Sequence, residues 1–155
     1  MVNDSENIDY LEGLGTNSMI KEDLIEFITQ YNGKLFGIYN KQDEHVGNIG
    51  LSNFDNILRC CSYGIVMGSL FKRKGYALEG SVLAINYAFN NLNLHRVHLR
   101  VVTWNESAIK LYEKLGFQRE GILRDAHWAN GEYHNSYHYS LLKNEFNFFK
   151  TRGLK

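Results

Sequence analysis

The order of hydrophobic periods along the chain predicts a mixed α+β or α/β domain. Three observations carry this reading. Strand-like runs lie between residues 34 and 68, joined by short polar turns. The spacing switches to a helical period at Gly75. Near the C-terminal end, Asn130-Gly131 joins two long strand-like runs, and this pair is the strongest short hairpin signal. The composition agrees: 155 residues, 44% apolar and 14% aromatic, suffice for one domain with a packed core.

Taken in order, the first strong element is a helix from about Met19. Ile20, Leu24, Phe27 and Ile28 form its apolar face, Ser18 can cap it, and Asn32-Gly33 can end it. A shorter helix around residues 3–11 precedes it. The runs "KLFGIYNK", "HVGNIGLSNF" and "LRCCSYGIVMG" follow as strands, and the intervening "QDE" and "DNI" make an antiparallel meander the natural connection. A helix then runs from about Gly75 to Asn91 on Ala77, Val82, Ala84, Ile85, Ala88 and Phe89. "HRVHLRVVT" is a strand. A second helix spans Glu106 to about Leu115, with Asn105 as N-cap and Gly116 as stop. "FQREGILRDAHW" and "EYHNSYHYSLLK" close the domain as a hairpin. A two-residue turn pairs Ala129 with Glu132, Trp128 with Tyr133 and His127 with His134.

Formal net charge is zero, so no global field favours nucleic acid or an anionic membrane. No apolar run approaches the ~20 residues of a membrane span, and Met1 opens onto a polar stretch rather than a signal peptide. Cys60 and Cys61 are adjacent and point to opposite faces of a strand, which disfavours a bridge and suits a reducing cytoplasm.

One short stretch asks for more than a fold. In "FKRKGYALEG", Lys72, Arg73 and Lys74 run into Gly75, Tyr76 and Ala77 at a helix start. Cations at that end oppose the macrodipole. A bound anion would compensate, taken by the free N–H groups of the first turn, with Gly75 and Ala77 allowing close approach. The alternative is a solvated basic turn. The stretch matches neither a Walker A loop nor a dinucleotide fingerprint. A nucleic-acid module is disfavoured, because one basic loop lacks an interleaved aromatic platform.

"KRKGYA" resembles the Q/R-x-x-G-x-G/A pyrophosphate loop of the GNAT superfamily of acetyl-coenzyme A-dependent N-acetyltransferases. "LRVVTWNESAIKLYEKLGFQREGILRD" resembles the rest of that family's coenzyme half. "NGEYHNSYHYSLLKNEF" is similar to the branch containing the ribosomal-protein alanine acetyltransferases. The resemblance is continuous over about residues 60–146 and looser back to "NDSENIDYLE". It implies a central, mostly antiparallel twisted sheet with splayed middle strands flanked by helices. It also implies acetyl-CoA as co-substrate, no metal, and a primary amine as acceptor: a protein N-terminus, a polyamine or an amino sugar.

The resemblance assigns roles to residues. The coenzyme diphosphate would sit on the backbone of Lys72, Arg73, Lys74, Gly75, Tyr76 and Ala77. The pantetheine arm would pair with Ile65, Val66 and Met67. Asn105 would contact the cofactor or organise the splay, a role compatible with a plain helix cap. Tyr112 matches the tyrosine that many relatives use as general acid; helical spacing from Ala108 and Leu115 fits a core tyrosine equally. Some relatives carry a base as Glu where Arg100 stands, so a water chain including Tyr63, His98 or His138 is the substitute. His127 and His134 lack a third metal ligand. Tyr133, Tyr137 and Tyr139 either line an acceptor pocket or are ordinary strand aromatics.

Two departures stand out. Lys72 and Arg73 replace the usual Gln/Arg and Gly of the loop. Met1 also falls where the branch's first helix is already under way, so the first strand is expected to be missing. A homodimer or another partner would then cover the exposed sheet edge, with the Trp128/Tyr133 hairpin as the alternative contact. A non-catalytic acetyl-CoA-binding or dimerisation module is the competing functional reading.

Overall fold

The computed structural model describes residues 32–147. The helix expected from Met19, the shorter one before it, and any strand preceding them lie outside these residues. In chain order the elements are β1 (Gly33–Tyr39), β2 (His45–Asp55), β3 (Cys60–Met67), a 3₁₀ turn (Ser69–Phe71), α1 (Tyr76–Asn90), β4 (Arg96–Val102), α2 (Glu106–Leu115), β5 (Gln118–Ala129) and β6 (Glu132–Leu142). The 3₁₀ turn is an addition to the elements expected from the sequence.

The six strands form one sheet in the order β1-β2-β3-β4-β6-β5. Every pair is antiparallel except β3 with β4. The α1 crossover explains the exception, since a helix between two strands returns the chain in the same direction. β1 and β5 are the sheet's edges among the described residues.

Alternation along the strands sends Ile49, Leu51, Cys61, Tyr63, Val97, Leu99, Val101, Tyr139 and Leu141 to one face. There they share a buried cluster with Val82, Ile85, Ala88 and Phe89 of α1 and with Tyr112 and Leu115 of α2. Both helices therefore cover the same side of the sheet. Tyr139 is 1% exposed, and its hydroxyl donates to Glu113 Oε1 at 3.0 Å, tying β6 to α2.

The local signals act as expected. Asn105 Oδ1 accepts from the Ala108 N–H at 3.1 Å and caps α2. Gly116 ends α2 at φ 95°, with Phe117 N–H donating to Tyr112 C=O and Gly116 N–H to Glu113 C=O, each at 3.0 Å. At the final hairpin, Asn130 and Gly131 both have positive φ, and the pairs Ala129–Glu132, Trp128–Tyr133 and His127–His134 form. Further along, β5 is irregular between Arg119 and Gly121 and between Leu123 and His127. Cys60 and Cys61 are both free thiols; burial, and secondarily Cys60, push the Cys61 thiol up to about 12. Among the described residues no helix is long and apolar enough to cross a membrane.

Candidate functional site

The middle of the sheet comes apart. β3 and β4 pair only at Cys60–Arg96, Cys61–Val97 and Ser62–His98, although the strands continue to Met67 and Val102. β2 holds β3 as far as Met67, and β6 holds β4 as far as Val102. Each strand thus keeps its outer partner while the two diverge from each other.

The phase of the ladder says which backbone groups face the gap. Gly68 N–H donates to Val46 C=O at 3.0 Å. Bonding alternates by two in an antiparallel pair, so Val66 and Gly64 also turn toward β2. The odd-numbered residues turn the other way. Arg59 C=O confirms that phase, accepting on the β4 side from His95 N–H at 2.7 Å and Arg96 N–H at 3.3 Å. Of the three residues expected to meet a pantetheine arm, Ile65 and Met67 therefore aim their backbone at the gap. Val66 aims its own at Asn48 on β2, which corrects the expectation for its main chain. Met67 also packs tightly on β2: a Cβ on Gly47 would lie 2.5 Å from Met67 Sδ and 2.7 Å from Val66 C=O.

The basic loop leads from this gap into α1. Lys72, Arg73, Lys74 and Gly75 are exposed, while Tyr76 and Ala77 are half-buried. Lys74 Nζ lies 5.4 Å from the Phe71 ring centroid, over the preceding turn. Arg73 (φ 61°) and Gly75 (φ 89°) both take left-handed backbone. Gly75 is the N-cap and supplies no side-chain acceptor. The first backbone bond of the helix is Glu79 N–H to Gly75 C=O at 3.1 Å. The N–H groups of Tyr76, Ala77 and Leu78 thus point out of the helix at its positive end. A Cβ built on Gly75 meets nothing within 4 Å among the described residues, which leave the space over these donors open. An uncapped donor set, open space and flanking cations fit a diphosphate.

The loop and the gap are linked through the core. Ser81 Oγ donates to Ala77 C=O at 2.5 Å, so its one proton is spent, and Tyr63 must be the donor in the 2.6 Å Tyr63–Ser81 bond. Burial, then the neighbouring Tyr112, raise the Tyr63 phenol, against the Ser81 bond. Tyr112 is 6% exposed; its ring meets Tyr63 edge-on at 6.1 Å and Phe117 at 5.9 Å. Because Tyr63 is the first β3 residue beyond the last paired rung, Tyr112 reaches the head of the gap from the helix side. Asn105 follows the end of β4. Its carbonyl oxygen is used by Ala108 N–H and Ser107 Oγ, leaving the two amide donors as the groups it offers a ligand.

The opposite face of the sheet carries a polar cluster. Glu120 accepts from both terminal nitrogens of Arg96 at 2.7 and 2.5 Å and from Ser140 Oγ at 2.7 Å. The Arg96 bond, opposed by burial and helped by Ser140, holds the Glu120 carboxyl at about 2. His138 Nδ1 lies 3.5 Å from Glu120, and the His98 and His138 rings are 5.6 Å apart. Burial, then His138 and Arg96, lower His98 below the usual imidazole value, with Glu120 opposing.

His127 and His134 do oppose each other, with Trp104 packed on both at 5.6 and 4.2 Å. Among the described residues no three potential metal ligands cluster. The tyrosine stripe divides: Tyr139 is core, Tyr137 packs under Arg119 at 4.7 Å, and Tyr133 is exposed against Trp128. Ser81 and Glu120 are not singled out by the sequence pattern. A serine within an apolar helical stripe was the available sign for Ser81. Glu120, set beside a strand irregularity, gave none.

A sheet that parts between two parallel middle strands, with a glycine-capped basic helix start at its mouth, defines the acyl-CoA-binding architecture of one protein class. The acetyltransferase (GNAT) domain model matches residues 2–118, and the chain belongs to that family. It is 37% identical over 109 residues to an uncharacterized N-acetyltransferase p20 of Bacillus licheniformis, covering 70% of this chain and 61% of that one. It is 28% identical over 112 residues to the ribosomal protein uS5-alanine N-acetyltransferase of Escherichia coli K12, covering 70% and 57%. The chain thus spans roughly three-fifths of these relatives' length. Among solved structures, the spermidine N-acetyltransferase of Vibrio cholerae in complex with CoA and spermine superposes with a TM-score of 0.83 at 26% identity, covering 92% of this chain and 86% of that one.

Proposed function

We propose that the protein is an N-acetyltransferase that moves the acetyl group of acetyl-CoA to a primary amine by direct attack within a ternary complex. The observation that carries this is the parting of β3 from β4 beside the open, uncapped start of α1. One feature can take an amide-bearing arm, the other a diphosphate.

The residues divide the work. The loop from Lys72 to Ala77 holds the diphosphate with the N–H groups at the helix start and its three cations; the Lys72 N–H is turned to Ser69 C=O at 3.4 Å, so Lys72 contributes charge. Ile65, with Met67 on the same side, pairs with the pantetheine amides. The Asn105 amide offers donors at the far side of the opening. Backbone N–H at the head of the gap polarises the thioester carbonyl. Tyr112 protonates the departing thiolate, its ring packed edge-on against Tyr63. The acceptor class is supported by relatives named for the N-acetylation of spermidine and of an alanine of ribosomal protein uS5. We place the activity in the cytoplasm, in keeping with two free thiols. A homodimer would bury the exposed apolar side chains of the last hairpin, Ile122 (56%), Trp128 (51%) and Tyr133 (64%); light scattering that returns a monomer mass at high concentration removes that assembly.

The test is calorimetric titration with CoA, followed by thiol release from acetyl-CoA with spermidine, an N-terminal alanyl peptide and glucosamine. Binding with amine-dependent thiol release is expected. Binding without release from any of the three favours a non-catalytic module, and absence of binding refutes the site.

A further inference from the structure

We propose that His98 is the general base of this acetyl transfer and that His138, backed by Glu120, positions its ring. The assignment rests on the acetyl-transfer reading above.

Elimination supplies the first argument. Neither of the parted strands carries a carboxylate: β3 reads CCSYGIVM and β4 reads RVHLRVV. Tyr63 gives its proton to Ser81, and Cys61 is fully buried in the core. Arginine does not deprotonate in proteins. Cys60 pairs with Arg96 at the closed end of β3 and β4, two rungs before they part. Among the described residues of these two strands, His98 is the remaining base at the opening.

Geometry supplies the second. His98 pairs with Ser62 on the last rung before the strands diverge. Its neighbours Val97 and Leu99 point into the helix-side core, so its own side chain stands on the other face. Tyr112 approaches the next β3 residue, Tyr63, from the helix side. A thioester in the opening therefore has a phenol on one side of the sheet and an imidazole on the other. An amine can attack from the imidazole side while the sulfur leaves toward the phenol.

The surroundings prepare the ring. The charged groups facing it are Arg96 and Arg100 on its own strand, His138 on β6 and Glu120 on β5, while β3 contributes the neutral Ser62. Two of these, Arg96 and Arg100, are cationic, and the one carboxylate facing it among the described residues is engaged by Arg96 and Ser140. Partial burial adds to this, so the ring is neutral at pH 7. His138 meets it edge-on at 64°, with its Nδ1 3.5 Å from the Glu120 carboxylate.

In the step, the amine nitrogen bonds to the thioester carbon and the C–S bond breaks. The amine proton passes to an imidazole nitrogen of His98, and the thiolate takes the Tyr112 proton. Imidazolium and tyrosinate then exchange with solvent, leaving amide and free thiol.

The experiment measures kcat/KM for acetyl-CoA-dependent thiol release with spermidine and the alanyl peptide from about pH 5.5 to about 9. Wild type, His98→Gln, His98→Ala and His138→Gln are compared, each checked by CoA calorimetry. His98→Gln should lose about 10²-fold and lack the acid limb of the profile, with CoA affinity within about twofold of wild type. Added imidazole should restore part of the His98→Ala rate. His138→Gln should move the acid limb and lower the plateau rate with CoA affinity intact, and an acid limb left at its wild-type position would show that His138 does not position the ring. Should His98→Gln keep its acid limb and more than about a third of the rate, His98 is not the base. Should either His98 variant fail to bind CoA, the residue is structural and the assignment falls. Wild type that binds CoA and releases no thiol with either amine overturns the acetyl-transfer reading itself, and this assignment with it.

Discussion

Gly75 is where the protein's needs and the ligand's can be separated. Its φ of 89° is left-handed, and a Cβ there would meet no atom of the described residues within 4 Å. The only intrinsic cost of a side chain is therefore backbone strain. Alanine should cost about 1 kcal/mol, which lowers Tm by roughly 2–4 °C for a domain of this size. Asparagine tolerates left-handed backbone and should cost less, yet it fills the same space. Gly131 supplies the control: its φ is 85°, its Cβ space is equally open, and it lies at the hairpin turn away from the loop. Gly75→Asn should leave the melting temperature near wild type and weaken CoA binding at least tenfold, about 1.4 kcal/mol. Gly131→Ala should lower the melting temperature and leave CoA affinity unchanged. Calorimetry and thermal denaturation on the same samples read both quantities. A folded Gly75→Asn protein with wild-type CoA affinity would refute the placement of the diphosphate.

Tyr112→Phe keeps the ring packed on Tyr63 and Phe117 and should lower turnover about 10²–10³-fold with CoA affinity intact; a loss under about threefold makes it a packing residue. Gly47→Ala drives a methyl into Val66 C=O at 2.7 Å, so β3 must move. The expected cost is about 1–3 kcal/mol in urea denaturation with weakened CoA binding; a neutral result would mean β3 yields freely. Glu120 is held at about 2 against an ordinary 4.5, so its contribution to stability is complete above 4.5 and fades as pH falls toward 2. Wild type should therefore lose more stability than Glu120→Gln between pH 6 and pH 3, measured by denaturant titration; equal losses would show that the Arg96 pair contributes nothing.

Local chemistry was readable wherever it acts through neighbours in sequence. Asn105, Gly116 and Asn130-Gly131 each set backbone geometry within a few residues, and the structure uses all three as expected. The two-residue turn of the last hairpin set its register for the same reason. The loop's cations and Gly75 could be placed at a helix start because the period of the apolar residues changes there. The parting of β3 from β4 is different in kind. It follows from which outer strand each one stays with, and no local pattern encodes that; only the family resemblance anticipated it. The phase that turns Ile65 rather than Val66 toward the gap depends on the β2–β3 register, which the Gly68–Val46 bond marks. The Tyr63–Ser81 and Glu120–Arg96 contacts join residues 18 and 24 positions apart, beyond the reach of periodicity.

The hydrogen-bond chain from Tyr63 through Ser81 to the Ala77 carbonyl has a further consequence. It clamps the first parted residue of β3 to the first turn of α1, inside a core where an unsatisfied hydroxyl would be costly. The distance from the diphosphate end to the thioester end is thereby set by the protein, like the jaws of a caliper. On the acetyl-transfer reading, a donor is measured before it reacts. A short thioester without the nucleotide can enter the gap but is not held at the other jaw, so it forfeits the alignment that full-length acetyl-CoA receives.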